Sequence, residues 1–252
     1  MRRLLPFLLP GAVLLVWELA AQSGTISRIV CPSLGAVARE LGTFVLRGER
    51  LVEAWSSLYR ALTGFALAAL AGVPLGLAIG RWHRAARIVE PVLSATYPVP
   101  KIALFPVLVF ALGIGSLSKI SLVFLECLYP IVINAAQGAR AVNRVLVWSS
   151  ANMGAARLQI LRKIVLPAAA PAIFTGFRVA LPVALVVVII TEMIGSADGL
   201  GYFVMAALAD LRTDRLLAAV VVTATLGWAL DWLVVAARAQ LVFWERHETH
   251  FN

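Results

Sequence analysis

The stretch from residue 139 to 171, ARAVNRVLVWSSANMGAARLQILRKIVLPAAAP, decides how the rest of the chain is read. It carries a helical pattern up to Gly154, then a second basic amphipathic stretch that stops at Pro167, where a new apolar span begins. Such a segment is too long for a simple connector and too polar to lie among lipid tails. Its surroundings are the reverse. Of 252 residues, 61% are hydrophobic and 14% charged, and the mean hydropathy is +0.90, whereas soluble domains are about half apolar and about a quarter charged. A soluble domain of this length would still need a charged exterior, so the composition indicates a polytopic membrane protein and excludes disordered and collagen-like chains. The net charge of +9 sits between apolar spans, which points to a membrane surface and away from nucleic acid.

Crossing ~30 Å of hydrocarbon takes ~20 mostly apolar residues. Six stretches approach that: about 4–22, 58–80, 92–114, 118–138, 172–195 and 216–237. The expected fold class is therefore all-α, with six transmembrane helices. Between them lie a long segment at 23–57, short links at 81–91 and 114–118, the 139–171 segment, and a polar segment at 196–215. With the N-terminus inside, twelve basic residues are cytoplasmic: Arg2, Arg3, Arg81, Arg84, Arg87, Arg140, Arg144, Arg157, Arg162, Lys163, Arg238 and Arg246. Seven are then outside: Arg28, Arg39, Arg47, Arg50, Lys119, Arg212 and Arg215. That bias places both termini in the cytoplasm. A rival reading takes the first run as a signal peptide, since Met1-Arg2-Arg3 precedes it and Leu19-Ala20-Ala21 resembles a cleavage site. Glu18, Pro6 and Pro10 favour a retained helix. Residues 33–47 place Leu34, Val37, Ala38, Leu41, Phe44 and Val45 near helical spacing, as an amphipathic helix on the outer surface. Gly72, Gly76 and Gly80 recur every fourth residue, which permits close helix approach.

Catalytic signatures are largely absent from the sequence pattern. His83, His247 and His250 form no metal-ligand set, and Cys31 and Cys127 are spaced against a disulfide. The run from Gly113 to Ile120 lacks the second glycine and the hydroxyl residue that a phosphate loop needs around its lysine. Uphill transport would then draw on an ion gradient or on another subunit. Ionisable residues expected inside spans are Glu18, Arg60, Lys101, Glu126, Arg178, Glu192 and Asp231, each needing a partner or a cavity. At about 100° per residue, Lys119, Glu126, Pro130, Asn134 and Gln137 form one stripe, expected to face protein or a pathway. Arg178 and Glu192 lie fourteen residues apart. Along an unkinked helix that is about 21 Å, so each needs a partner elsewhere. Candidate pathway or gate residues are Lys101, Glu126, Tyr129, Asn134, Arg178, Glu192 and Met193. For Glu192 a gating role and a structural hydrogen-bond anchor both remain open; Lys101 and Arg178 are suited to attract an anion or to serve structure.

The 139–171 segment resembles the cytoplasmic loop of permease subunits of bacterial ABC importers, with its pattern of Glu-Ala-Ala, three residues, Gly, nine residues, Ile-x-Leu-Pro. Gly154, Ile164, Leu166 and Pro167 fit that spacing; Trp148, Ser149 and Ser150 replace the Glu-Ala-Ala element. Three further stretches resemble the nitrate/sulfonate/taurine branch of these permeases. They are Ser57-Leu58-Tyr59-Arg60 with Gly64-Phe65, Tyr97-Pro98-Val99-Pro100-Lys101 with Gly113-Ile114-Gly115, and Thr191-Glu192-Met193-Ile194-Gly195 with Gly199-Leu200-Gly201. The stretches stand in family order, and the resemblance as a whole runs from about residue 31 to 245.

The resemblance implies a five-helix type I (MetI-like) core at 58–245 holding the coupling loop 139–171, preceded at 1–57 by one transmembrane helix and the outer amphipathic helix. It implies a multi-pass protein of the bacterial inner membrane that works by alternating access as a homodimer. Its partners would be two ATP-binding cassette subunits, a periplasmic solute-binding protein and membrane lipids, with no nucleic acid. ATP and Mg would reside on the ATPase, and the chain itself would bind no cofactor and be no enzyme. The ATPase-coupling residues would be Ser150, Ala151, Asn152, Met153, Gly154, Ala155, Ala156, Arg157 and Leu158, as a short helix centred on Asn152 to Leu158. Arg157, Arg162 and Lys163 would meet acidic groups of the ATPase or lipid headgroups. The solute would be a small anion such as a sulfonate, taurine or nitrate; the alternatives are a thiamine precursor, a riboflavin-like compound or an aromatic acid. An ion-coupled secondary transporter using Glu126, Glu192 and Asp231 is the rival mechanism, and the Gly154 to Pro167 loop argues against it.

Overall fold

The computed structural model describes residues 5–24, 26, 27, 29–46 and 48–244. Arg2, Arg3, Arg28, Arg47, Arg246, His247 and His250 lie outside them. The described chain is all-helical: α1 (Leu5–Gln22), α2 (Leu34–Leu46), α3 (Gly48–Arg81), α4 (His83–Thr96), a 3-10 turn (Lys101–Leu104), α5 (Phe105–Leu112) and α6 (Ser116–Ala141). It continues with α7 (Arg144–Asn152), α8 (Arg157–Ile160), a π-helical turn (Leu161–Val165), α9 (Leu166–Gly195), α10 (Leu200–Ala209) and α11 (Thr213–Leu241). Four helical stretches are long and apolar enough to cross a membrane: Arg50–Arg81, Ser116–Ala141, Arg157–Gly195 and Thr213–Leu241. A fifth span results if α4 and the 3-10/α5 segment count together, although they meet at 85°.

The chain divides into two compact units, one running to Ser57 and resuming at Glu192–Leu226, the other Leu58–Thr191 with the chain from Gly227 onward. In the second unit the spacing of small residues sets the topology. A Cβ on Gly64 would stand 2.6 Å from Val123 Cβ, on Gly76 2.6 Å from Ala135 Cβ, and on Gly80 2.5 Å from Ala139 Cβ. Partner numbers rise together, so α3 and α6 pack parallel with their backbones nearly touching. Two parallel spans need a return crossing between them, which falls to α4 and α5. Against α9 the order reverses: Gly138 faces Ala172 and Ala169, Gly176 faces Pro130 and Asn134, and Cys127 Sγ reaches the Ala180 carbonyl at 3.3 Å. α6 and α9 are therefore antiparallel. In their most apolar windows both are 44% buried, against 17% for α11. Phe110, Leu70 and Trp228 stand exposed, as suits lipid-facing positions of a membrane bundle.

Two expectations need correction. The third span is not one straight helix over 92–114, because α4 starts at His83 and the chain breaks at Tyr97–Pro100; Pro98 and Pro100 lack the N–H that would continue the ladder. The polar segment 196–215 contains the ten-residue apolar helix α10, which is too short to register as a span. In the first unit, α2 buries Val37 and Phe44, and Phe44 meets Phe203 edge-on at 5.7 Å. Substituting Gly76→Val should drive α3 from α6, because its Cβ also meets the Val132 carbonyl at 2.6 Å. We expect a loss of about 1–3 kcal/mol in stability, read as a lower melting temperature in detergent, while Gly35→Ala, which meets nothing within 4 Å, leaves it unchanged or slightly raised.

Candidate functional site

The 139–171 segment folds as a hydrogen-bonded elbow. Asn143 starts α7 by accepting the Val145 N–H at 2.8 Å, as Asn at an N-cap does. At the other end Met153, Gly154 and Ala155 donate their N–H groups to Ser149, Ala151 and Ser150 carbonyls at 3.0 Å each. Gly154 has φ +86° with open space around its α-carbon, a conformation that glycine adopts without strain. Gln159 Oε1 then accepts the Ala156 N–H at 2.9 Å, and the helix resumes. The expected helix centred on Asn152 to Leu158 is thus corrected: the helix is Arg144–Asn152, and residues 153–156 form the bend, because the left-handed Gly154 stops the ladder. The wide π turn at Leu161–Val165 precedes Pro167, whose missing N–H leaves the Lys163 carbonyl without its ordinary donor. Val147 is buried with Leu77, Ala135, Ala139, Val142, Ile160, Val165, Ala169 and Ile173, while Trp148, Met153 and Leu158 are exposed, Met153 at 79%.

Of the pathway candidates, the structure brings Lys101, Glu126 and Tyr129 together. Lys101 Nζ lies 4.1 Å from the Tyr129 ring centre, 5.8 Å from that of Tyr97 and 4.0 Å from Glu126 Oε2. Tyr129 is itself fixed by donating to Thr96 Oγ1 at 2.7 Å. An ammonium over an aromatic face with one carboxylate nearby is partly compensated where water is scarce. Asn134 instead donates to the Pro130 carbonyl at 2.8 Å, and Arg178 forms a two-pronged pair with Asp231 at 2.7 and 3.1 Å. The stripe on α6 divides: Lys119 is 1% exposed and donates to the Ile114 carbonyl at 2.8 Å, whereas Gln137 is exposed.

In the first unit, Glu192 is 1% exposed and organises the start of α10. Its Oε2 accepts from Ser57 Oγ at 2.6 Å and from the Gly201 N–H at 3.1 Å. Ser57 Oγ accepts the Leu200 N–H at 2.8 Å, and Glu53 accepts the Gly199 N–H. Three donors at the α10 N-terminus are thus met by side chains, two of them carboxylates that suit the positive end of a helix dipole. Gly199, at φ +101°, lies so close that a Cβ would land on the Glu192 carboxylate. Met193, next in sequence, is 36% exposed. Sequence reasoning missed Glu53 here; its place one helical turn before Ser57 was the available signal.

Residues 72–240 match the family described as binding-protein-dependent transport system inner membrane component. The chain belongs to that family. Among similar proteins, the taurine transport system permease protein TauC of Escherichia coli K12 is 34% identical over 93% of this chain and 87% of its own. SsuC of Bacillus subtilis strain 168, assigned as an aliphatic sulfonates transport permease protein, is 30% identical over 94% of this chain and 86% of its own. The inward-facing MetNI methionine ABC transporter yields a superposition with a TM-score of 0.62 at 20% identity, covering 76% of this chain and 97% of that one, which establishes a shared fold. The permease has no group of three or more potential metal ligands among the described residues.

Two predictions follow from this permease's first unit. Gly199→Ala pushes against the Glu192 carboxylate and carries the strain of a positive φ, so we expect at least about 2 kcal/mol of lost stability, with Glu192→Ala lowering yield and melting temperature further than Glu192→Gln. The second concerns Glu40 on α2. It accepts from Arg50 at 2.8 Å and Arg212 at 2.6 Å. Burial raises its pKa, but the Arg50 hydrogen bond and the charges of Arg212, Arg50 and Arg215 outweigh that and hold it below the ordinary glutamate value. The folded state therefore gains stability from Glu40 above the ordinary pKa and loses it as the pH falls through the depressed one. Melting measured from about pH 6 down to about pH 3 should show this acid loss diminished in Glu40→Gln.

Proposed function

We propose that the chain is the membrane-spanning subunit of an ATP-driven importer that takes up a small anion of the sulfonate or taurine class, delivered by a solute-binding protein outside the cell. The observation that carries the reading is the elbow at Gly154 within a chain of this family. An exposed surface of Ala151, Asn152, Met153, Gly154, Arg157 and Leu158, with Met153 and Leu158 as exposed apolar anchors, suits a partner protein's groove. Two ATPase subunits carrying ATP and Mg would engage two copies of this chain there, with both termini on the ATPase side. The names of TauC and SsuC support a sulfonated solute, and Lys101 and Arg178 are the cations that such an anion would meet in the spans.

On this reading the bent α4–α5 segment, Tyr97, Tyr129 and the Lys101–Glu126 pair line the route in the second unit, and Glu192 with Met193 is the gate candidate of the first. Movement of the two elbows toward one another would switch the spans between inward-open and outward-open arrangements. Hydrolysis takes place on the partner, so the chain itself needs no catalytic group.

The test is reconstitution in proteoliposomes with the ATPase and binding protein, measuring ATP hydrolysis with taurine, alkanesulfonates, nitrate and vitamin-like compounds supplied in turn. Stimulation by a sulfonate is expected. Gly154→Arg should remove both the stimulation and ATPase co-purification, by more than about tenfold, while membrane insertion persists, because the new side chain projects into the docking surface and holds a positive φ. Uptake that survives on an ion gradient without the ATPase would overturn the reading.

A further inference from the structure

At one end of α3 two cavities share walls. The first, about 600 Å³, is bounded by Arg81, His83, Glu90, Arg140, Arg144 and Trp148. The second, about 530 Å³, shares Ile79, Glu90 and Arg140 with it and runs between α4 and α6 past Leu93, Val132 and Ile133. The first is predominantly cationic and polar. The second is predominantly apolar, so together they make an amphiphilic groove.

The charges in the cationic end are not balanced from within. Glu90 is taken by Arg140, and among the described residues no carboxylate pairs with Arg81 or Arg144. Arg81 is the last residue of α3 and Arg140 lies in the last turn of α6, the level at which a membrane helix meets headgroups. Trp82 and Trp148, 45% and 64% exposed, stand at the same ends, where indoles favour the interface. Gly80 against Ala139 holds the ends of α3 and α6 together, so the cationic wall is fixed. A guanidinium matches a phosphodiester with two parallel N–H donors. A free anion would gain nothing from the apolar slot, and an acidic protein segment would leave it unfilled.

We propose that this groove binds one anionic phospholipid, its phosphate on the Arg81 and Arg144 wall and an acyl chain along Leu93, Val132 and Ile133. The slot reaches Tyr97, which the proposed solute route also uses, whereas the Arg81 and Arg144 wall lies outside the residues assigned to that route, and the proposal stands whether or not the solute is a sulfonate. Losing both arginines should weaken binding by roughly 25-fold, at about fivefold per basic residue near a membrane surface.

The experiment is native mass spectrometry of the full-length, delipidated permease titrated with phosphatidylglycerol or phosphatidylcholine. Phosphatidylglycerol is expected to bind the wild type in preference, to bind Arg81→Gln/Arg144→Gln roughly 25-fold more weakly, and to be weakened much less by Arg81→Lys/Arg144→Lys, which keeps the charge but not the two-pronged donors. Leu93→Gln/Ile133→Gln should weaken it severalfold through the slot. Equal binding of the two lipids, or phosphatidylglycerol binding indifferent to the arginine pair, would overturn the proposal. So would displacement by millimolar inorganic phosphate with no effect of the slot variant, which would make this a free-phosphate site. Loss of ATPase co-purification in the arginine variant, with lipid binding unchanged, would identify a protein contact and likewise overturn it.

Discussion

The close approach of α3 and α6 is the constraint on which the second unit depends. Between helices in lipid there is little hydrophobic gain to bring them together, so packing at short range has to do it. Gly64, Gly72, Gly76 and Gly80 provide that by presenting bare backbone to Val123, Ile131, Ala135 and Ala139. Because the contact is parallel, everything between Arg81 and Ser116 is forced into a return path. Two prolines then decide where that path bends, and the bend at Tyr97–Pro100 places Lys101 beside Tyr129 and Glu126.

Polar groups inside so apolar a chain are tolerated only where something answers them, and the structure shows how locally this is done. Lys119 is answered by the carbonyls just before its own helix. Arg178 and Asp231 answer one another across α9 and α11. Glu192 is answered by a hydroxyl and by the start of α10. That last arrangement favours the anchoring reading of Glu192, since its carboxylate is already engaged. It also couples any change of charge at Glu192 to the seating of α10, so anchor and gate are not exclusive chemistries.

Much of this was legible because it is written in short range. The spacing of Gly72, Gly76 and Gly80 is a helix-face pattern, and it faces α6. The amphipathic stretch at 33–47 contains helix α2, and the apolar runs mark the long helices. What escaped was whatever depends on a partner distant in sequence. Nothing near Arg178 announces Asp231, and nothing near Glu192 announces Glu53 or Ser57. Helix α10 escaped for a different reason, being shorter than the stretch a membrane crossing needs. The elbow was misplaced because periodicity continues through residues 152–158, whereas the backbone turns at Gly154, and only the positive φ that glycine permits records the turn.

In the proposed importer, the elbow would carry a push on a short surface helix to the membrane. Val147 on α7 shares its buried cluster with Leu77 of α3, Ala135 and Ala139 of α6, and Ala169 and Ile173 of α9. Packed interiors transmit displacement instead of absorbing it, so movement of α7 is carried to the ends of three helices at once. α3 and α6 are locked together by their glycine contact and must move as a pair. α9 is joined to α7 through the bend and the π turn, where the helical ladder is irregular and bending is easiest. The compliant point of the second unit therefore lies between the proposed docking surface and α9. A force on the elbow would tilt α9 against the α3–α6 pair, and in the proposed importer that relative tilt, with Arg178 riding on α9 and Lys101 held near α6, is what would open and close the route.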